Sequence, residues 1–347
     1  MISQTYLCPG CRGRLEEGDC RFSCISCTKV FPKFGAIPIF WKPDNYYGEI
    51  PQEKMNALID MADTDGYRKA ASVFLTDPFV RTYVLDEDRA RWAGLLPLGP
   101  DTRVLDAGCG WGTNTIPIAR KAGHVAAIDA TLERVKFVEI RARQCGLPNV
   151  APSMASATAL PYPDASFDIV VFNGVLEWLG AIDTGKNPKD IQLQALREAH
   201  RVLAPGGLVY IGIENRFSLR YFLGTPDDHS FIRFTSLMPR WLARPYYKLR
   251  TGADYYMHTH SLSTYREMLR DSGFTRSREY HPWPNYRNPV GFMDLDKADI
   301  VAHLRREIPR TPAVSRKRAY CTMLKWLTAV EGKGRFCHSF SFVYRKT

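Results

Sequence analysis

The segment VLDAGCGWG, residues 104–112, constrains the fold of this chain more than any other stretch. Its apolar beginning predicts a β-strand that ends at Asp106, and its glycines at 108, 110 and 112 predict a tight turn into a helix. Glycine lets the backbone pass close to a ligand at the carboxyl end of a strand, where open α/β folds bind. A second apolar run, VAAID, ends in Asp129, where a carboxylate is placed to accept hydrogen bonds from ribose hydroxyls.

Strand and helix patterns alternate from residue 101 onward and extend this prediction to a whole domain. Alternation of this kind indicates a doubly wound α/β fold with a mostly parallel sheet. The predicted strands are 103–106, 125–129, 168–173, 208–214, 276–280 and 339–344. The predicted helices are 113–122, 132–144, 190–203 and 263–271, with a stretch of no clear period at 216–260.

Four cysteines near the N-terminus predict a metal site. They form two CxxC pairs separated by 12 residues, Cys8 with Cys11 and Cys24 with Cys27. Thiolates at i and i+3 in a tight turn bind one ion together, and two such turns complete the tetrahedron of a structural Zn²⁺. Because so short a unit buries little apolar surface, the metal would supply most of its folding free energy. Cys20 is an alternative to Cys24 as a ligand, although its spacing to Cys27 does not fit a pair.

The rest of the N-terminal region has helical patterning at 52–62 and 86–96, with Asp86 as a candidate cap. The chain is therefore predicted to have three parts: a zinc ribbon at 1–41, a helical extension at 42–100, and an α/β domain at 101–347 with a lid insertion at about 216–260.

The net charge of +11 is unevenly distributed. Residues 216–347 hold 24 Lys and Arg against 11 Asp and Glu, a charge of +13, whereas the first 215 residues hold 23 against 25. A basic surface attracts phosphate-bearing partners, but it equally suits a plain solvated surface. No apolar run approaches the roughly 18 residues of a membrane span, and no secretory signal is evident, so we expect a cytoplasmic location.

The glycine motif belongs to a longer series of motifs. The segments SATALPYPDASFDIVVFNGVLEW and LREAHRVLAPGGLVYIGIEN follow it in order. Together they resemble class I S-adenosylmethionine methyltransferases over residues 100–215, which implies a Rossmann-like sheet of seven strands and S-adenosylmethionine as cofactor. A nicotinamide fingerprint reads GxGxxG, whereas this chain reads GxGxG with Thr113 at the position of the third glycine.

The resemblance also implies roles for individual residues. The amino-acid end of the cofactor is lined by Asp106, Gly108 and Gly110, with Cys109 between the glycines. Asp129 holds the ribose and Ala130 touches the adenine, while Asn173 lines the methionine side. Many family members have an acidic residue that binds the adenine amino group; this chain has Ser156 there, followed by Ala157.

In this family the acceptor is usually bound by N-terminal helices and by insertions after the later strands, here 46–92 and 216–260. The insertion contains Asp227, Asp228 and His229, of which His229 and Asp228 are candidates to deprotonate an acceptor hydroxyl. A structural or purely substrate-binding role for the same residues stays open. The stretch NRFSLRYFLG with the following DDH resembles bacterial methyltransferases of surface-glycan and secondary-metabolite pathways.

Two classes of acceptor remain open, and a non-catalytic protein that keeps the cofactor fold is a third possibility. The favoured acceptor is a small or medium-sized molecule such as a sugar, nucleotide sugar, glycan or secondary metabolite, methylated at oxygen or nitrogen. The segments CPGCRGRL and CISCTKVFPKFGAIPIF resemble the zinc ribbon of tRNA-methyltransferase activator subunits. The alternative acceptor is rRNA or tRNA, because a zinc ribbon joined to a methyltransferase also occurs in rRNA guanine methyltransferases and the last third is basic. Against RNA, Asn173 is followed by Gly174 and Val175 instead of an NPPY-type motif.

Overall fold

The computed structural model describes residues 4–42, 46, 48–181, 185–297 and 334–347. Four short strands form a small sheet: β1 (Leu15–Glu17), β2 (Arg21–Cys24), β3 (Val30–Phe34) and β4 (Ile37–Pro38). The larger sheet contains β5 (Arg103–Ala107), β6 (His124–Asp129), β7 (Val150–Met154), β8 (Phe167–Asn173), β9 (Leu203–Glu214), β10 (Phe274–Trp283), β11 (Gly291–Asp294) and β12 (Ser339–Lys346).

Nine α-helices and three short 3-10 helices lie in the described residues. The α-helices are α1 (Gln52–Asp65), α2 (Tyr67–Phe74), α3 (Pro78–Leu85), α4 (Thr115–Ala119), α5 (Leu132–Gln144), α6 (Pro188–Val202), α7 (Leu219–Phe222), α8 (Arg240–Thr251) and α9 (Leu262–Asp271). The 3-10 helices are Glu87–Leu95, Leu176–Ala181 and Thr235–Leu237. Within these ranges no helix is long and apolar enough to cross a membrane.

The larger sheet has the strand order β11-β10-β12-β9-β8-β5-β6-β7. β5 pairs in parallel with β6 and β8, β6 pairs in parallel with β7, and β10 pairs antiparallel with β11. The predicted α/β fold with a mainly parallel sheet is confirmed. The sheet has eight strands where seven were expected; β7 and β11 match no strand predicted from the sequence.

The chain divides into two compact units, each defined by residues whose Cα atoms lie close together. The first comprises Met1–Phe172, Gln194–Val209 and Arg345–Thr347, and the second comprises Asn173–Leu193 and Tyr210–Tyr344. The first unit contains the small sheet, helices α1 to α5 and strands β5 to β7; the second contains helices α7 to α9 and strands β10 and β11. The three-part domain division proposed from the sequence stays a prediction.

The cysteine-rich segment packs against the edge of the larger sheet within the first unit. Ile39, just beyond β4, forms a parallel bridge with Met154 of β7, and the Phe40 amide donates to the Met154 carbonyl at 2.8 Å. The Tyr6 ring lies 4.9 Å from the ring of Phe40 and 5.7 Å from that of Tyr162, centroid to centroid. The apolar side chains of this small unit are therefore buried against the α/β domain.

The helical regions agree with the sequence in part. α1 begins at Gln52 as predicted and runs three residues past the predicted end at 62. Asp86 accepts a hydrogen bond from the Asp88 amide at 3.0 Å and caps the next helix, which is 3-10 where an α-helix was expected. The stretch 216–260, predicted to be irregular, contains the twelve-residue helix α8 with Pro245 inside it. Proline in a helix interior removes a hydrogen bond, which is why the sequence did not indicate this helix.

Candidate functional site

The glycine turn after β5 surrounds a buried carboxylate. Asp106 is 2% exposed and its Oδ2 accepts a hydrogen bond from the Thr115 hydroxyl at 2.6 Å. Gly108 and Gly110 have φ values of +82° and +53°, a region that side chains other than glycine rarely adopt. The turn therefore requires glycine at both positions, as the sequence predicted.

The space beside Gly110 is open, whereas that beside Gly112 is filled. A Cβ placed on Gly110 meets no other atom within 4 Å. A Cβ on Gly112 would lie 3.2 Å from a methyl group of Val138 in α5. Gly112 thus serves helix packing, and Gly110 leaves room for a ligand close to the backbone.

Asp129, the last residue of β6, completes this site. Its Oδ2 accepts from the Gly110 amide at 3.0 Å, and its Oδ1 accepts from the Thr131 amide at 3.0 Å. Burial, opposed by the Thr115 hydrogen bond and reinforced by the Asp129 charge, raises the pKa of Asp106 to about 6. The two carboxylates predicted to bind the cofactor therefore lie in one electrostatically coupled site.

An ion pair beside this site was not predicted from the sequence. Glu49 Oε1 lies 2.8 Å from Arg134 Nη2, and Glu49 Oε2 accepts from the Trp111 indole at 3.0 Å. Arg134 in turn has Nη1 3.8 Å from Asp129 Oδ1. Arg134 lies on α5, five residues after Asp129, and its regular helical spacing gave no sign of this role.

Ser156 and Ala157, which were predicted to contact the adenine, directly follow a backbone hydrogen bond to Asp129. The Ala155 amide donates to the Asp129 carbonyl at 3.1 Å, which places Ser156 and Ala157 directly after that contact. Both are buried, and the Ser156 hydroxyl is 2.8 Å from the Thr158 hydroxyl. The Ser156 hydroxyl therefore already has one partner, and its predicted contact with adenine stays a prediction.

Two predicted residues belong to the turns themselves. The Cys109 amide donates to the Ile128 carbonyl at 2.8 Å, and burial raises the pKa of the Cys109 thiol well above its usual range. Ala130 follows Asp129 directly and is half-buried. Cys109 is thus a neutral, inert part of the turn wall.

Comparison with known proteins agrees with this geometry. Residues 105–211 match the family described as a methyltransferase domain. Residues 105–211 are therefore similar to methyltransferase domains. The match begins inside β5 and ends in β9, so it covers the glycine turn and both carboxylates.

Curated relatives match about a third of the chain. The chain is 35% identical over 130 residues to a 2-methyl-6-phytyl-1,4-hydroquinone methyltransferase of Synechocystis sp., covering 37% of this chain and 36% of the relative. It is 36% identical over 124 residues to a 27-O-demethylrifamycin SV methyltransferase of Amycolatopsis mediterranei, covering 35% and 42%. It is similar to the crystal structure of a methyltransferase from Aquifex aeolicus, with 19% identity, 61% and 90% coverage, and a TM-score of 0.39. The chain spans less than half the length of the curated relatives named here.

Asn173, predicted to line the methionine side of the cofactor, is the last residue of β8 and belongs to the second unit. It is 9% exposed, and neither its amide nitrogen nor its oxygen has a hydrogen-bond partner in the part of the chain that the structure describes. A Cβ on Gly212 would clash with Asn173 Oδ1, so only glycine at position 212 leaves room for the Asn173 side chain. Its predicted role toward the cofactor stays a prediction.

The residues of the predicted catalytic group near residue 228 contact different partners. Asp227 accepts hydrogen bonds from the amides of His229 and Ser230 and from the Ser236 hydroxyl, so it holds the loop. Asp228 accepts from the Tyr221 hydroxyl at 2.8 Å. Both carboxylates are thus engaged in local structure.

His229 turns toward a different set of side chains. Its Nε2 lies 3.4 Å from Glu214 Oε2, and its ring stacks edge-on at 5.0 Å from Trp178. Burial disfavours its imidazolium form, but the surrounding carboxylates, Glu214 foremost, outweigh burial and raise the pKa of His229 to about 9. An imidazole that keeps its proton at neutral pH is a poor general base, and the predicted role of His229 and Asp228 in catalysis is untested.

A second cleft lies in the same unit and is lined by arginines of the insertion. Arg216 and Arg240 each donate to backbone carbonyls, yet Arg240 Nε and His258 Nδ1 are buried and have no hydrogen-bond partner within the described ranges. Burial and the neighbouring His260 and arginines lower the pKa of His258 to about 2, so its ring is neutral. Arg240 Nε is therefore a donor left over in a small cavity of about 20 Å³. Its lining comprises Arg216, Thr235, Ser236, Met238, Arg240, Ala243, Tyr255, Met257, His258 and Thr259.

The four N-terminal cysteines lie together, as their spacing predicted. The sulfurs of Cys8 and Cys27 are 3.6 Å apart, those of Cys11 and Cys24 are 3.4 Å apart, and all four lie within 4.8 Å of one another. Tetrahedral zinc with Zn–S bonds of about 2.3 Å needs sulfurs about 3.8 Å apart. The set is compatible with a small zinc-binding module, and the alternative ligand Cys20 is exposed and outside it.

Proposed function

We propose that this chain is an S-adenosylmethionine-dependent methyltransferase that acts on a small or medium-sized acceptor. The observation that supports it is the pairing of Asp106 and Asp129 at a glycine turn with open space beside Gly110. Bound there, the cofactor supplies a methyl group made electrophilic by its sulfonium. The protein has to hold it, align it with the acceptor and exclude water.

The residues of the turn suit the two ends of that cofactor. Asp129, fixed by the amides of Gly110 and Thr131, presents the carboxylate that accepts hydrogen bonds from ribose hydroxyls. Asp106 offers a buried carboxylate to the ammonium of the amino-acid end, and such a cation would favour its ionised form. The ion pair of Arg134 with Glu49 lies beside Asp129 and helps to fix its position.

The acceptor we favour is a sugar, nucleotide sugar, glycan or secondary metabolite, methylated at oxygen or nitrogen. The relatives named above carry small molecules in their names, a hydroquinone and a rifamycin. The cleft with Arg216, Arg240 and a neutral His258 lies in the insertion where acceptor binding was predicted.

We also propose that Cys8, Cys11, Cys24 and Cys27 hold one structural Zn²⁺. Four thiolates close the coordination shell, so the ion has no position left for substrate. Its role is to fold the small sheet that covers the edge of β7.

Methyl transfer from labelled cofactor to cell extract, split into small-molecule and RNA fractions, tests this function. We expect label in the small-molecule fraction with the wild-type chain, and much less with Asp129→Ala at a cofactor concentration near the wild-type Kd. Asp101→Ala is the matched control, because Asp101 is an exposed acid just before β5. Label in the RNA fraction alone would favour RNA as acceptor, and label in neither fraction would contradict the proposal.

A further inference from the structure

Three buried side chains in the second unit converge on one point. Glu177 follows β8, Glu214 is the last residue of β9, and His229 lies in the insertion. Each offers one ligand atom, and these atoms lie within 4.8 Å of one another. We propose that Glu177, Glu214 and His229 bind a divalent metal ion, separate from the cysteine site.

The atoms that face one another have no other hydrogen-bond partner. Glu177 is 0%, Glu214 1% and His229 6% exposed. Apart from the 3.4 Å approach of His229 Nε2 to Glu214 Oε2, the Oε2 atoms of both glutamates and both ring nitrogens of His229 have no hydrogen-bond partner among the described residues. Buried polar atoms are nearly always paired, and leaving one unpaired costs about 1–3 kcal/mol. This concentration of buried polar atoms in one place indicates a ligand that binds between them.

The opposite oxygens of the two glutamates are already held. The Tyr286 hydroxyl lies 2.9 Å from Glu214 Oε1 and 3.4 Å from Glu177 Oε1. Arg287 Nη2 donates to Glu214 Oε1 at 2.6 Å. Both carboxylates are therefore held through Oε1, and Glu214 has its Oε2 3.4 Å from His229 Nε2. Metal-binding carboxylates are commonly oriented by such outer hydrogen bonds.

His229 is fixed from its own side. The edge-on ring of Trp178 at 5.0 Å limits its rotation, and Asp227 accepts from the His229 amide at 3.0 Å. The three ligands come from three different segments, so their convergence does not follow from local sequence. Preorganisation of this kind lowers the entropy cost of binding an ion.

The chemistry of the ligands points to Mn²⁺ or Zn²⁺. Carboxylate oxygens suit Mn²⁺, and imidazole nitrogen suits Zn²⁺ and its neighbours. The two glutamates supply the negative charge, and Arg287 on the far oxygen of Glu214 offsets part of it. Three protein ligands leave coordination positions free for water or for an oxygen of a bound molecule. The cysteine site, built from soft thiolates, selects zinc, so Mn²⁺ distinguishes the two.

Titration of the full-length, zinc-loaded chain with Mn²⁺, followed by the electron paramagnetic resonance of free Mn²⁺, tests the proposal. We expect one Mn²⁺ to bind per chain in the wild type. Glu214→Gln and His229→Gln should lose that binding, and Tyr286→Phe should weaken it by about tenfold because it removes an outer hydrogen bond. Glu267→Gln, an exposed acid on α9, is the matched control and should bind as the wild type does.

Thermal unfolding with and without Mn²⁺ guards against variants that fail to fold. We expect Mn²⁺ to raise the Tm of the wild type and of Glu267→Gln, and to leave folded Glu177→Gln unchanged. A wild-type chain that neither binds Mn²⁺ nor holds zinc beyond one equivalent would overturn the proposal, and the cluster would then be an internal His229–Glu214 ion pair. Equal Mn²⁺ affinity in wild type and His229→Gln would also overturn it. Neither result depends on whether the chain binds S-adenosylmethionine.

Discussion

Burying the ionised Asp106 carboxylate at the candidate cofactor site is electrostatically unfavourable. Burial, in the presence of the neighbouring Asp129 charge and against the Thr115 hydrogen bond, raises its pKa to about 6, from an ordinary value of about 3.9. A carboxyl whose pKa is higher in the folded chain stabilises the fold when protonated. That stabilisation is complete below the ordinary pKa and is lost as the pH rises through about 6.

Asp106→Asn therefore changes the pH dependence of stability in a defined direction. The variant keeps the shape of the side chain and does not titrate. Its free energy of unfolding should therefore rise relative to that of the wild type by roughly 2 kcal/mol between pH 4 and pH 7. Thermal unfolding of the cofactor-free chain at a series of pH values measures the difference. Asp101→Asn, an exposed acid, should show no such trend. A constant difference between Asp106→Asn and wild type across this range would show that Asp106 does not titrate as described.

The sequence identified some of the buried acids and missed others for a physical reason. Asp106 and Asp129 stand at the ends of apolar strands, where a buried carboxylate has little structural purpose. Glu214 ends β9 in the same way, and the same argument would have indicated it. Glu177 lies in a 3-10 turn after β8, where local sequence does not show that Glu214 and His229 are near. Contacts between distant segments leave no periodic signal.

Secondary-structure elements with a regular local pattern were predicted correctly, whereas those that depend on contacts with distant segments were not. α5 and β6 have regular apolar periods, and the predictions for them agree with the structure within a residue. β7 was not predicted because its sequence, VAPSM, contains Pro152 and lacks alternation. Proline is tolerated near the edge of a sheet, and β7 forms a ladder only with β6 among the described strands. Its other side meets Ile39, which covers an edge that would otherwise be open to pairing.

Cys11→Ser should remove zinc and destabilise more than the small sheet. Metal content should fall from about one zinc per chain, because structural zinc binding is folding free energy for such a module. The Tm should fall as well, since Tyr6 and Phe40 pack beside Tyr162 only while the module is folded. Cys20→Ser, which removes an exposed cysteine outside the cluster, should keep both zinc and Tm. Metal analysis and thermal unfolding measure both; a wild-type chain that holds no zinc would contradict the proposed site.

At the scale of the whole molecule, the sequence established the fold class but not the acceptor. The strand and helix pattern of 101–215 is repetitive, and the family match at 105–211 falls on the same residues. The basic charge of +13 in the last 132 residues does not by itself distinguish RNA from an anionic small molecule. The cleft with Arg216 and Arg240 is assembled from a segment without clear period, so only the structure places those side chains together.

Isothermal titration calorimetry with S-adenosylmethionine is the most direct test of the central claim, that the glycine turn between Asp106 and Asp129 is a cofactor site. We expect the wild-type chain to bind one equivalent with a Kd on the order of micromolar. Asp129→Ala removes charged hydrogen bonds worth about 1.5–3 kcal/mol, so its affinity should fall at least about tenfold. Asp101→Ala should bind as the wild type does. No heat of binding with the wild type, or equal affinity in Asp129→Ala, would contradict the account.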